Sequence, residues 1–332
     1  MTAPVTDHVP GTDPAAARFR TGIWFGVAAY GAWGLVPIFW PLAQPASSLE
    51  ILAHRVVWSL VAALALVAVG SRRGWLGTDW IASLRSGKVL GLLSLAAVLV
   101  AINWGVFIWA VNHDHVVETA LGYYINPILS ILAGVLLLRE RLQAVQWTAV
   151  GFAAVAVVVL TIGYGKPPWI ALTLATSFAT YGLIKNRLRL SAIASLAVES
   201  AVLTLPALAC IAWLGLHGQA TFGGKLSTSM ILVAAGPVTV VPLLLFAGAV
   251  TRIPLSLVGL LQYIAPTCQF LLGIFWFGEE MPPTRWAGFA LVWVALVLLA
   301  GDGARRLVRS LRQSRAPRHD PVTIAGPPPT IG

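Results

Sequence analysis

Ten apolar stretches, each near twenty residues and separated by proline, glycine or charge, constrain this 332-residue chain more than any other feature. They run over about residues 21–40, 47–69, 88–111, 115–138, 143–163, 168–186, 193–215, 229–249, 254–278 and 283–301. A helix rises about 1.5 Å per residue, so ~20 residues cross the ~30 Å hydrocarbon core of a bilayer. In that core an unpaired amide costs several kcal/mol, and the stretches lack the ten-residue alternation of a membrane barrel. The expected fold is an all-α membrane protein with ten transmembrane helices.

The chain is 58% hydrophobic and 10% charged, against about 45–50% and about 25% for soluble domains. Its net charge of +10 would suit nucleic acid, but Lys and Arg sit at the ends of apolar stretches and in one C-terminal tail, so no nucleic-acid partner is expected. Cys210 and Cys268 lie inside apolar stretches, where cysteine behaves as a small hydrophobe; no disulfide, haem or metal site is expected. Residues 1–19 read as a disordered tail, and Gly22–Trp40 as an uncleaved first helix rather than a signal peptide.

Charge placement orients the chain. Of the 22 basic residues, only Lys166, Lys225 and Arg285 fall in one set of loops, and Arg55 lies within a stretch. The rest, from Arg18 and Arg20 through Arg72, Arg73, Arg85, Lys88, Arg139, Arg141, Lys185, Arg187, Arg189 and Arg252 to the tail, fall in the other set. The excess of positive charge marks that side as the cytoplasm and places both termini there, in the cell membrane.

An internal repeat divides the chain. A shift of 139 lays LGYYINPILSILAGVLLLRERLQAVQW (121–147) over LLQYIAPTCQFLLGIFWFGEEMPPTRW (260–286), matching Tyr124 with Tyr263, Pro127 with Pro266, Gly134 with Gly273, Glu140 with Glu279 and Trp147 with Trp286. A weaker echo pairs AYGAWGL (29–35) with SFATYGL (177–183). The expected organisation is a cytoplasmic tail over 1–19, five-helix repeats over 20–163 and 164–303, and a basic then Pro/Gly-rich tail over 304–332. Because five is odd, the second repeat enters the membrane with opposite polarity, an arrangement suited to alternating access.

The run INWGVFIWAVNHDHVVETALGYYINPILSILAG (102–134), with AHRVVWSL (53–60), SFATYGLIKN (177–186) and LLQYIAPTCQFLLG (260–273), resembles the RarD-like branch of the EamA family in the drug/metabolite transporter superfamily. The resemblance covers about residues 20–301. It implies a ten-helix permease in which the first four helices of each half surround a central cavity and the fifth and tenth are peripheral. It does not imply a cargo, since substrate does not follow from fold.

Arg55 stands about eight residues into the second stretch, where an arginine needs compensation. It is either a cavity-facing cation for a carboxylate or phosphate, or half of a structural pair. Glu50 and His54, four apart, share a helix face and form either a proton-sensitive pair or an interfacial hydrogen bond. Glu118 follows Asn112, His113, Asp114 and His115; the spacing fits no metal site, leaving Asp114 as a helix cap and Glu118 as a proton-coupling candidate. Glu199 is expected to pair with the basic loop around Lys185.

Trp33, Asn103, Trp104, Tyr124, Asn126, Tyr181, Gln262 and Tyr263, with Tyr30, form the candidate cavity lining, because amides in hydrocarbon need partners that a wet cavity supplies. Trp40, Trp75, Trp169 and Trp286 read as interfacial belt residues. Pro127 and Pro266, matched in the repeat, each free a carbonyl one turn upstream and are candidate gates. The glycines at 22, 26, 31, 34, 122, 134, 248, 259 and 273 read as helix-packing positions.

No Walker loop, HExxH motif or nucleophile with a base is visible, so the reading is a secondary transporter of a small molecule, proton-coupled or by exchange. No enzyme activity and no cofactor are expected. The other partners expected are membrane lipid at the basic tail and, at most, a second copy of the chain. The rival classes are a non-transporting sensor or scaffold and, further off, a membrane-embedded enzyme.

Overall fold

The computed structural model describes residues 14–74, 81, 84–138, 143–188 and 190–315. Among them every regular element is helical. The helices are α1 (Pro14–Phe39), α2 (Ser48–Arg72), α3 (Gly87–Val111), α4 (Val116–Leu138), α5 (Ala144–Tyr164), α6 (Trp169–Leu188), α7 (Ala192–Leu216), α8 (Leu226–Val250), α9 (Leu255–Leu261), α10 (Ile264–Phe275) and α11 (Pro283–Arg315), with a 3-10 turn at Trp40–Ala43 after α1. Eight candidate membrane spans are long and apolar enough to cross a bilayer, the one over Leu257–Phe275 bridging α9 and α10. Two helices at expected spans fall short of that measure. α4 is represented by a shorter apolar run, Val116–Leu132, and α6 is diluted by Thr173, Thr176, Ser177, Thr180, Lys185 and Arg187.

Local chemistry starts and stops these helices. Ser47 and Ser191 cap α2 and α7, each hydroxyl accepting a hydrogen bond from the backbone N–H three residues on (3.2 Å in both). The two matched prolines behave differently. Pro266 removes the N–H that would meet the carbonyl of Gln262, and the chain breaks there, between α9 and α10. Pro127 leaves α4 continuous; five residues earlier Gly122 is pressed on α6, where an added Cβ would stand 2.9 Å from the carbonyl of Ala171. Two tail expectations are corrected: α1 begins at Pro14, inside the tail placed at 1–19, and α11 runs on to Arg315, well beyond 303.

Packing joins the two parts of the chain. The main contacts are α2 on α7, α5 on α11, α4 on α10, α4 on α6, α1 on α10, α2 on α8, α3 on α7, α1 on α8 and α3 on α6. Exchanging α1–α5 with α6, α7, α8, α9/α10 and α11 turns this set into itself. Small residues make the closest approaches: at Gly236 of α8 a Cβ would overlap the backbone of Trp58 in α2. Of the glycines singled out in the sequence, 22, 26, 34, 122, 248 and 273 are tightly faced, while Gly31 and Gly259 face open space; the side-chain surroundings of position 134 are outside the described set.

The ends of the bundle differ. One end gathers the links at 40–47, 112–115, 165–168, 217–225 and 276–282 and holds Glu50, Asp114, Glu118, Glu279 and Glu280; we call it the acidic end. The other gathers Arg18, Arg20, Arg72, Arg73, Arg85, Lys88, Lys185, Arg187, Arg252 and Arg305 and is the basic end. Arg139 and Arg141, which the sequence reading sets on the basic side, and Glu140 lie outside the described residues, as do Arg189 and Trp75.

Candidate functional site

Arg55 is buried on α2 with 8% of its surface exposed. Its Nε donates to the Thr239 hydroxyl on α8 at 2.9 Å, and its Cζ lies 3.9 Å from the ring centre of Trp104 on α3 and 5.0 Å from that of Trp40. Such stacking is worth up to about 2 kcal/mol when desolvated. Among the described residues no carboxylate pairs with it, the one ion pair being Lys185–Glu199. The acid partner of the structural reading is therefore absent from the described set. Trp40, read from sequence as a belt residue, is instead fully buried against this cation.

A polar network adjoins the cation. Asn103 on α3 donates to the Leu174 carbonyl (3.0 Å) and the Ser177 hydroxyl (3.1 Å) of α6, and accepts from the Tyr123 hydroxyl of α4 (3.0 Å). Tyr123 is an electrostatic neighbour of Arg55. Three and four residues further along α4, on the same face, Asn126 and Pro127 line a cavity of about 340 Å³ with Ser130, Gly259, Gln262 and Tyr263. This cavity is a slot towards the basic end, bounded by α4, α9 and, through Leu299, Ala300 and Gly303, α11; α4 and α9 pack together no more than marginally there. The candidates Asn126, Pro127, Gln262 and Tyr263 thus meet around the slot. Pro266 sits just beyond it, buried in α10.

The acidic end is sealed by carboxylates that reach across the chain. Glu50 accepts from the backbone N–H of Thr221 (2.7 Å) and of Phe222 (3.0 Å) and from the Thr221 hydroxyl (3.0 Å). Glu118 on α4 accepts from the N–H of Ile170 in the first turn of α6 (3.1 Å). Glu279 accepts from the N–H groups of Val116 and Val117 in the first turn of α4. Each thereby satisfies donors that a helix start or link leaves open. Two expectations are corrected here. Asp114 does not cap α4, because it adopts a left-handed turn (φ 57°) and Glu279 takes the amides. Glu50 and His54 share no hydrogen bond among the described residues, because Glu50 is engaged by the α7–α8 link and His54 stacks on Phe222 at 4.6 Å, although the two remain electrostatic neighbours. Glu118, Glu279, Asp114, His115, Tyr164 and Arg285 also border a cavity of about 380 Å³. Burial raises the Glu279 carboxyl to about 7 and lowers the His115 imidazole below its ordinary value.

The remaining candidates lie apart. Trp33 packs in a triangle with Tyr30 and Phe246, at 5.5 and 5.9 Å. The Tyr124 hydroxyl meets that of Thr267 at 2.9 Å, within the apolar core rather than the slot. Tyr181 donates to Glu199 (3.1 Å), which also accepts from Ser195 (2.9 Å) and pairs with Lys185 (2.9 Å). Tyr123, Ser177 and Thr239 are not among the sequence candidates, and Trp40 is among them only as a belt residue. For Thr239 a hint existed, as a hydroxyl between Pro237 and Pro242 in an otherwise apolar stretch.

Known proteins share this arrangement. The description of the EamA-like transporter family matches twice, over residues 20–162 and 167–301. The chain belongs to this family. Among EamA-like relatives, Protein RarD of Streptomyces exfoliatus is 54% identical over 311 residues, spanning 93% of this chain and 96% of the relative. Protein RarD of Escherichia coli (strain K12) is 37% identical, spanning 86% and 96%, and the uncharacterized transporter YojE of Bacillus subtilis (strain 168) is 39% identical, spanning 85% and 94%. A solved crystal structure 17% identical in sequence superposes with a TM-score of 0.54, covering 87% of this chain and 99% of that one, which supports the fold alone. This EamA-like chain is a multi-pass membrane transporter of the RarD-like branch.

Proposed function

We propose that the chain moves a small metabolite or drug-like solute by alternating access, as a secondary transporter driven by protons or by exchange. In this reading α9 and α10 form one broken span, giving ten spans in two five-helix repeats of opposed polarity, with the basic end and both termini in the cytoplasm of the cell-membrane-embedded protein. The contact set that maps onto itself and the two successive family matches support the repeats. The observation that carries the mechanism is the difference between the ends: carboxylate caps and an apolar cluster around Trp40, Ile51, Ile108, Val116, Ile170 and Leu232 tie the helices together at the acidic end, beside a cavity of about 380 Å³, while towards the basic end α9 stands apart from α4 over a cavity of about 340 Å³. In this reading the tied acidic end and the parted basic end correspond to an inward-facing state of such a cycle. The opposite state forms when the caps part and α9 closes on α4, a movement for which the break at Gln262 and Tyr263 is the hinge.

The test is uptake into proteoliposomes of a panel of amino acids, organic acids, sugars and amphipathic drugs, with and without a pH gradient. Accumulation or counterflow of at least one solute is the expected result. A folded, reconstituted protein that moves none of them contradicts the proposal.

A further inference from the structure

The geometry points to Arg55 as the docking site for the carboxylate of a small organic monoanion with an apolar, ring-bearing body. This inference rests on the transport reading above and names the class of its cargo.

The argument begins from what Arg55 lacks. A buried charge is stable only when paired or well hydrogen-bonded. Arg55 has one hydrogen bond, from Nε to Thr239, and two tryptophan faces. Among the described residues its terminal nitrogens donate to nothing. Nearby polar groups are unmet as well: the Trp40 indole N–H, whose ring faces the guanidinium, and the Ser59 hydroxyl, one turn along α2 on the same face, are buried with no partner. Arg55 and the Trp40 indole are donors awaiting an acceptor, and the Ser59 hydroxyl can donate too. The missing element is an anion.

Charge fixes its valence. Lys185, on α6 towards the basic end, is already neutralised by Glu199. One unmatched positive charge therefore remains, which suits one negative charge; a dianionic phosphate would leave a second charge unbalanced. The guanidinium fork presents paired N–H groups to a carboxylate. Body shape follows from the aromatic surroundings: Trp104 and Trp40 flank the cation, Tyr123 is its neighbour, and Phe178 meets Tyr123 edge-on at 6.0 Å. These surfaces favour a planar apolar body over a sugar.

Thermal unfolding of the purified protein in detergent, titrated with benzoate and phenylacetate and with the neutral isosteres benzamide and phenylacetamide, tests the assignment. The carboxylates are expected to raise the midpoint of the wild type and the amides to leave it unchanged. Arg55→Gln is expected to weaken carboxylate binding at least tenfold while raising the ligand-free midpoint, because it removes an unbalanced buried charge; Arg55→Lys keeps the charge but loses the fork and falls between. Should Arg55→Gln fail to fold, Thr239→Val, which frees Nε and leaves the charge, is expected to weaken carboxylate binding several-fold. Amides that bind as well as carboxylates, or foldable Arg55 and Thr239 variants that bind carboxylates like the wild type, overturn the inference. Counterflow in the same preparation separates the two readings. Transport of neutral solutes without carboxylate binding sinks the site alone; carboxylate binding through Arg55 without any transport sinks the transport reading alone.

Discussion

The two ends of the bundle are built on opposite principles. At the acidic end, buried carboxylates cross from one part of the chain to the other and bind backbone amides: Glu118 on the start of α6, Glu279 on the start of α4, Glu50 on the α7–α8 link. At the basic end the ion pair, Lys185–Glu199, stays between the successive helices α6 and α7, and α9 stands away from α4. Aligned on their capping serines, Arg55 and Glu199 occupy the same place in α2 and α7, eight residues from Ser47 and Ser191. One has found its counter-charge and the other has not. A seal made of a few directional contacts opens by exchanging them for water, whereas a seal of apolar surface alone resists opening in proportion to its whole area.

The largest expected effect is at Glu118, which is 3% exposed. Glu118→Ala leaves the Ile170 N–H buried and unmet and should destabilise the protein by about 1–3 kcal/mol, lowering the unfolding midpoint and loosening the acidic end. Next come two glycines that contrast packing at the closed helix seams with packing in the slot. Gly236→Ala drives a methyl into the backbone of Trp58 and is expected to cost about 1–3 kcal/mol. Gly259→Ala enters open space on a helix and should be neutral or stabilising by up to ~1 kcal/mol. Equal losses from the two, read as shifts in thermal midpoint, would erase the distinction.

A smaller effect concerns pH. Glu279 lies in the link after α10, facing Asp114 and His115 from the α3–α4 link, Glu118 from α4, Tyr164 and Lys166 near the end of α5, and Glu280 and Arg285 beside it. Burial, reinforced by Asp114, brings its carboxyl to about 7, although the Val116 and Val117 amides and Arg285 oppose the rise. Once the end opens and hydrates it, the group returns towards its ordinary ~4.3. The sealed form therefore binds the proton more tightly; its advantage is full below the ordinary carboxylate range and is lost as pH rises through about 7. Spin labels at His113 and Glu280 should report a larger open population at pH 8 than at pH 6, and Glu279→Gln should flatten the dependence. A wild type with no such dependence would contradict this. The smallest effect is at the C-terminus: truncation after Arg315 is expected to leave uptake within twofold of the full chain.

The sequence made the helices legible because lipid imposes one length and one backbone solution, so α2, α3, α5, α7 and α8 fall within a few residues of their apolar runs. Arg55 was legible for the same reason, as a charge where lipid tolerates none. Its surroundings were not. Thr239 and Trp104 come from helices distant in sequence, and an aromatic face that holds a guanidinium reads in one dimension like one that faces lipid. The caps were hidden more deeply. The bond from Glu279 to α4 joins residues 162 apart, about half the chain, while Asp114 stands near the local position that capping rules favour, and tertiary packing overrides it. The repeat alone also does not encode why the chain breaks at Gln262 while α4 stays continuous at Pro127.

Alternating access requires the acidic end to open once per cycle, and cross-linking tests that most directly. In a background without Cys210 and Cys268, a bifunctional maleimide joining His115→Cys to Glu280→Cys, both on the cavity at that end, is expected to reduce transport to background, while each single variant treated alike retains it. Transport at an unchanged rate by fully cross-linked protein would show that the acidic end never parts, and the account would fail.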